Sequence, residues 1–165
     1  MEEAMIGAVR VVHIASAISL AGGGFLYTLV IAPTLAKRFP GPKIGEFMNA
    51  LGPAMGRYFS LLAYVVFLSG ATLLASIWGW RHVFDILFGG GLYGSILLAG
   101  IAAFLVGLAI AESVIMPTGR RLVSPDTPPS SLPRLQRRQA IAFVVVSALD
   151  FVALAMMALA VNART

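Results

Sequence analysis

The 165-residue sequence contains no cysteine. This excludes disulfides, cysteine-based zinc sites, iron–sulfur clusters and c-type haem attachment. Charge is scarce as well: Asp, Glu, Lys and Arg make up 12% of the chain, against about 25% in an ordinary soluble domain. Several site motifs are missing. Gly89-Gly90-Gly91 lacks the lysine and the preceding strand of a phosphate-binding loop. No serine nucleophile elbow and no HExxH metalloprotease motif occurs. No arginine ladder of the voltage-sensing kind is present. The start, Met1-Glu2-Glu3, is acidic where a secretory signal is basic, and the apolar stretch after it is too long for a signal h-region, so a retained helix is expected. No internal repeat or low-complexity tract is visible.

What remains is apolar: 59% of residues are hydrophobic and the mean hydropathy is +0.90. Stretches at 8–32, 58–79, 92–113 and 139–161 each reach the about 20 residues needed to cross a bilayer core. None alternates in the manner of an outer-membrane barrel. The expected fold is an all-α integral membrane protein, a single four-transmembrane-helix bundle over residues 1–165. Pro33 and Met116-Pro117 mark the expected ends of helices 1 and 3. Ile44, Phe47, Met48 and Leu51 recur at helical spacing, which predicts a short interfacial helix at 43–52. Trp78 and Trp80 suit the headgroup belt, and Gly89-Gly90-Gly91 with Tyr93 marks the outer turn into helix 3. Five prolines among Ser and Arg predict a flexible loop over 117–136.

The net charge of +5 is unevenly placed. Lys37, Arg38, Lys43, Arg57, Arg120, Arg121, Arg134, Arg137 and Arg138 fall on one side of the membrane; Arg10, Arg81 and Arg164 fall on the other. By the positive-inside rule both termini and the 80–91 loop face outside. The basic excess then reflects topology and contact with anionic lipid, and nucleic acid is not an expected partner.

Ionisable groups inside a membrane are costly and therefore functional candidates. His13 lies about two turns into helix 1 and Asp150 near the middle of helix 4; Glu112 and Arg57 lie near inner helix ends, where they can pair. His82 follows helix 2, and the topology puts it on the same side as His13. Met5, Met156 and Met157 belong to that half too. Two chemistries use such a set. Haem b in a helix bundle is held by axial imidazole or thioether, here His13 with His82 or a methionine opposite. Copper is bound by imidazole and, as Cu(I), by thioether, here His13 with Met5, Met156 or Met157. Asp150 would fix the His13 tautomer from behind or relay protons. The small residues of helix 1, including Gly22, Gly23 and Gly24, allow close helix packing or a flat cofactor, with Phe25 or Tyr27 packed on it. The plain readings stand beside these: a hydrogen-bonded packing histidine, a solvated His82, methionines that fill space, and a cofactor-free structural subunit.

The stretch "VVHIASAISLAGGGFLYTLVIAPTL" resembles the first helix of the CopD and HemJ group of bacterial and archaeal membrane proteins, with His13, Gly23 or Gly24, Phe25 or Tyr27, and Pro33 in the order of that pattern. Arg57-Tyr58-Phe59, Gly70 and Trp80 are similar to its second helix, "FGGGLYGSILLAGIAAFLVGLAIAESVIMP" to its third, and Asp150 to a late acidic position. The resemblance implies a prokaryotic plasma-membrane protein that handles haem b, as HemJ does, or copper, as CopD does. The third-helix lysine of the HemJ pattern is absent from Gly94–Phe104. The leading expectation is a haem-b protein for electron transfer or small-molecule redox chemistry at the outer face, served by a redox partner. Copper handling is the alternative, and a transport role at this length requires a homo-oligomer.

Overall fold

A computed structural model describes residues 2–38, 42–89, 91–124 and 126–162. In chain order they form α1 (Glu2–Leu26), a π-helical turn (Tyr27–Ile31) and α2 (Ala32–Arg38), then α3 (Pro42–Trp78) and α4 (Trp80–Gly89). α5 (Gly91–Ile110), a second π-helical turn (Ala111–Ile115) and α6 (Met116–Val123) follow, then a 3-10 turn (Pro129–Ser131) and α7 (Leu132–Asn162). No strand occurs among the described residues. Four rods are long and apolar enough to cross a membrane: Glu3–Thr34, Ala50–Trp78, Gly91–Val123 and Pro129–Ala160.

The rods pack as an antiparallel bundle. His13 and Gly23 of the first rod meet Gly70 and Phe59 of the second. Gly100 and Gly107 of the third meet Met156 and Asp150 of the fourth. Gly24 and Tyr27 meet Ser147 and Phe143, which joins the first rod to the fourth. Small residues make these approaches possible: Ala17, Ala21, Ala63, Ala142, Ala153 and Ala160 are buried, and no large side chain is fully enclosed among the described residues. The large apolar side chains point outward instead, Leu29 at 66% and Val11 at 68% exposure among them. Such a surface is soluble only in lipid, where helices associate through close packing of small residues rather than through a hydrophobic core. The fold and surface together define a multi-pass, all-α membrane protein.

The rods outlast the ends predicted from proline. The first continues past Pro33 to Arg38 and the third past Pro117 to Val123. In both, a five-residue π turn ends two residues before the proline, and an i→i−5 bond closes it: Ala32 N–H to Tyr27 O, and Met116 N–H to Ala111 O. Proline cannot donate, and its ring crowds the carbonyl four residues back. A widened turn just upstream shifts that register and lets the rod go on. The predicted 43–52 helix is not separate either, because α3 runs unbroken from Pro42 to Trp78 through Pro53. One proline removes one hydrogen bond, and the ladder resumes on either side of it. The side chains of Ile44, Phe47 and Met48 lie outside the described residues.

The predicted 117–136 loop shortens to the connection between Val123 and Leu132. Three of its prolines occupy tolerant positions, Pro117 and Pro129 at the starts of their elements and Pro133 in the first turn of α7. Thr127 Oγ1 donates to Arg121 O (2.6 Å) and Ser131 Oγ to Pro128 O (2.7 Å), tying the turn to its flanks. At the other end of the bundle, within the expected 80–91 loop, Trp80–Gly89 is a helix. Gly79 (φ 71°) and Gly91 (φ 61°) bracket α4 in the left-handed region, where side-chain-bearing residues are strained. Val83 turns inward, while Trp80, Phe84 and Phe88 line an exposed stripe. Gly94 brings α5 against the backbone of α4, at the Ile86 carbonyl oxygen.

Candidate functional site

The imidazole of His13 is wedged between the first and second rods. Its Nδ1 lies 3.0 Å from the Val66 carbonyl oxygen and 3.0 Å from Ser69 Oγ. A carbonyl only accepts, so Nδ1 carries the proton and donates. Ser69 sends its own hydroxyl hydrogen to Val65 O at 2.5 Å, which leaves an oxygen lone pair for His13. The remaining ring nitrogen, Nε2, is then the lone-pair nitrogen, free to bind a metal or a proton. Gly70 makes the slot: a Cβ there would sit 2.9 Å from His13 Cε1. One turn along, Ser16 is buried and its hydroxyl donates to Val12 O.

Asp150 is a buried carboxyl at the bundle centre. It is 9% exposed and has no hydrogen-bond or ion-pair partner among the described residues. It borders a cavity of about 20 Å³ shared with Ala17, Val66, Phe104 and Met157. That volume holds about one water. Asp150 does not orient His13, because Val66 and Ser69 do so. Asp150 instead shares that cavity with Ala17, one turn on from His13, and with Val66, whose carbonyl holds the ring. Below it, Thr28 Oγ1 and Ser147 Oγ are 3.3 Å apart. His13, Ser69 and Ser16, then Asp150, then Ser147 and Thr28 form a discontinuous polar file along the bundle.

The other predicted site residues disperse. His82 is exposed on α4 and makes no side-chain contact with His13. Met5 is 60% exposed. Met156 packs its Cβ near Gly100, and only Met157 reaches the central cavity. The room that Gly23 and Gly24 leave is filled by the Phe59 ring and Ser147 Oγ, each 3.0 Å from where a Cβ would stand. Tyr27 is buried against Phe143, ring centroids 4.6 Å apart. Arg57 bonds the Pro53 carbonyl at 3.3 Å rather than Glu112, and Glu112 sits exposed in the second π turn. Among the described residues no group of three or more His, Asp or Glu gathers as a metal site. The residues missed from sequence are Val66 and Ser69. A hydroxyl directly before a mid-membrane glycine, Ser69-Gly70, is the signal that marks them.

Comparison with protein-family models, with curated proteins and with solved structures finds no match for this chain.

Proposed function

We propose that this protein is a membrane-embedded metal-binding protein for one-electron redox chemistry, with His13 Nε2 as the principal ligand. One observation carries the reading. The Nδ1–H of His13 is held at 3.0 Å by the Val66 carbonyl and the Ser69 hydroxyl, and metal-bound imidazoles are oriented in this way, with the other nitrogen free.

Haem b is the form to which the residue pattern and the family resemblance lead. It supplies reversible electron exchange at an iron held by imidazole. The residues present fit one protein ligand, His13, because His82 stays on the surface of α4. A macrocycle against Gly23 and Gly24 requires Phe59 and Ser147 to leave those positions. That filled packing favours a second reading, a single Cu(I) ion held by His13 and a thioether, with Met157 the interior candidate. In either case the basic residues at the α2, α6 and α7-start end of the bundle support a cytoplasmic position for that end. The α4 end, with both termini, then faces outward from a prokaryotic plasma membrane, where a redox partner would dock.

Visible spectra of the detergent-purified protein, oxidised and dithionite-reduced, together with metal analysis, test the proposal. Haem held by His13 alone gives a five-coordinate, high-spin spectrum that disappears in His13→Ala. Stoichiometric copper without colour, also lost in His13→Ala, selects the ion. Full cofactor retention in His13→Ala, or neither haem nor copper from a host rich in both, removes the reading and leaves a cofactor-free subunit.

A further inference from the structure

A second cluster of polar side chains lies at the opposite end of the bundle from His13. Between α6 and the start of α7 lies a cavity of about 710 Å³, within the range of small-molecule sites. Arg120 and Arg121 of α6 and Arg134 and Arg138 of α7 line it, against one carboxylate, Asp126. None of the four guanidiniums has an ion-pair or hydrogen-bond partner among the described residues. The hydroxyls of Thr127 and Ser131 are spent on backbone carbonyls, so they close the turn and leave the arginines as the available donors. Arg134 and Arg138 are one helical turn apart, where like charges repel. The start of the 31-residue α7 borders the same space and adds the positive end of its dipole. Four guanidiniums lining one cavity with a single carboxylate are held together at a cost that a bound anion relieves. Their planar forks match phosphate oxygens two at a time.

Depth narrows the ligand. The apolar run of α7 begins at Ala140, directly after Arg138-Gln139, and that of the third rod ends ahead of Arg120. The rod Pro129–Ala160 has 32 residues, about 48 Å, longer than a hydrocarbon core of about 30 Å. The arginines therefore project into the headgroup layer, where basic pockets between membrane helices hold anionic lipids. We infer that this cavity is a phosphate-binding site and that its occupant is the headgroup of an anionic phospholipid. The inference is independent of the metal reading at His13.

Native mass spectrometry of the full-length protein, released from detergent with added phosphatidylglycerol, phosphatidylcholine or inorganic phosphate, tests it. The wild-type protein is expected to keep phosphatidylglycerol at least tenfold better than phosphatidylcholine, and R134Q/R138Q to lose that preference. The charge-preserving R134K/R138K separates misfolding from lost recognition: it folds and keeps part of the preference. K37Q/R38Q removes the same charge from outside the cavity and keeps all of it. Retention of phosphate with no preference for phosphatidylglycerol, lost in R134Q/R138Q, upholds the phosphate site and overturns the lipid as its source. Equal retention of both lipids and of phosphate by wild type and R134Q/R138Q overturns the proposal.

Discussion

The two ends of this bundle are built on opposite terms. Towards α4, at three glycines on the helix contacts, an added methyl group would collide with a neighbour. At Gly94 it would strike the Ile86 carbonyl, at Gly70 the His13 ring at 2.9 Å, and at Gly100 Met156 at 3.2 Å. Towards the Val123–Leu132 turn the contacts relax: a Cβ at Gly119 would be 3.6 Å from Gln139 and one at Gly56 3.8 Å from Met116. The half-buried imidazole of His13 belongs to the tight end and the arginine cavity to the loose one. The difference reflects solvent. Inside hydrocarbon a polar ring must find its partners within the protein, so the packing is built around it. At headgroup depth, water and lipid phosphates supply partners, and charges can stand open.

Alanine at the tight end should break this contrast most severely. Gly94→Ala forces α4 and α5 apart and should cost about 3 kcal/mol or more, since overpacking typically costs about 1–3 kcal/mol and here the obstacle is backbone; reversible unfolding in mixed micelles measures it. Gly70→Ala should cost about 1–3 kcal/mol and dislodge His13 from Val66 and Ser69, a second effect visible as loss of any bound metal. Asp150→Leu should move the other way, raising stability by about 1 kcal/mol, because an unpartnered buried polar group is replaced by an apolar one of similar size. A large destabilisation there would show that the carboxyl has a partner such as a bound water in the adjoining cavity.

Ser69→Ala is a finer probe. Val66 still accepts from Nδ1, so the loss should be about 0.5–1.5 kcal/mol, one neutral hydrogen bond, with metal binding weakened rather than abolished. Gly56→Ala and Gly119→Ala, at the loose end, should be neutral or stabilise by up to about 1 kcal/mol through helix propensity. If these two cost as much as Gly70→Ala, the two ends do not differ in packing and the comparison fails.

Much of the architecture was legible in the chain. Four apolar runs and 12% charge specify spanning helices because a bilayer admits few other structures. His13 and Asp150 stood out because their cost in lipid is readable from residue type and position alone. The rod ends were not legible, since Pro33 and Pro117 look like stops until a π turn upstream is seen to absorb them. The amphipathic α4 passed for a loop because Gly89-Gly90-Gly91 hides a helix that ends there. Which groups meet was beyond the sequence as well. Shared topology placed His13 and His82 in one half, yet an interfacial helix keeps them apart, while Ser69 and the carbonyl of Val66, more than fifty positions away, hold the ring.

The sequence by itself determined the class of molecule, the number of spans and the residues whose burial demands a reason, because those follow from transfer free energy, which is local and additive. Tertiary structure alone decided which nitrogen of His13 is free, that the glycine run of helix 1 is filled by Phe59 and Ser147, and that four scattered arginines converge on one cavity. These depend on rod register and crossing, set by the summed fit of many small side chains, and no single residue reports them.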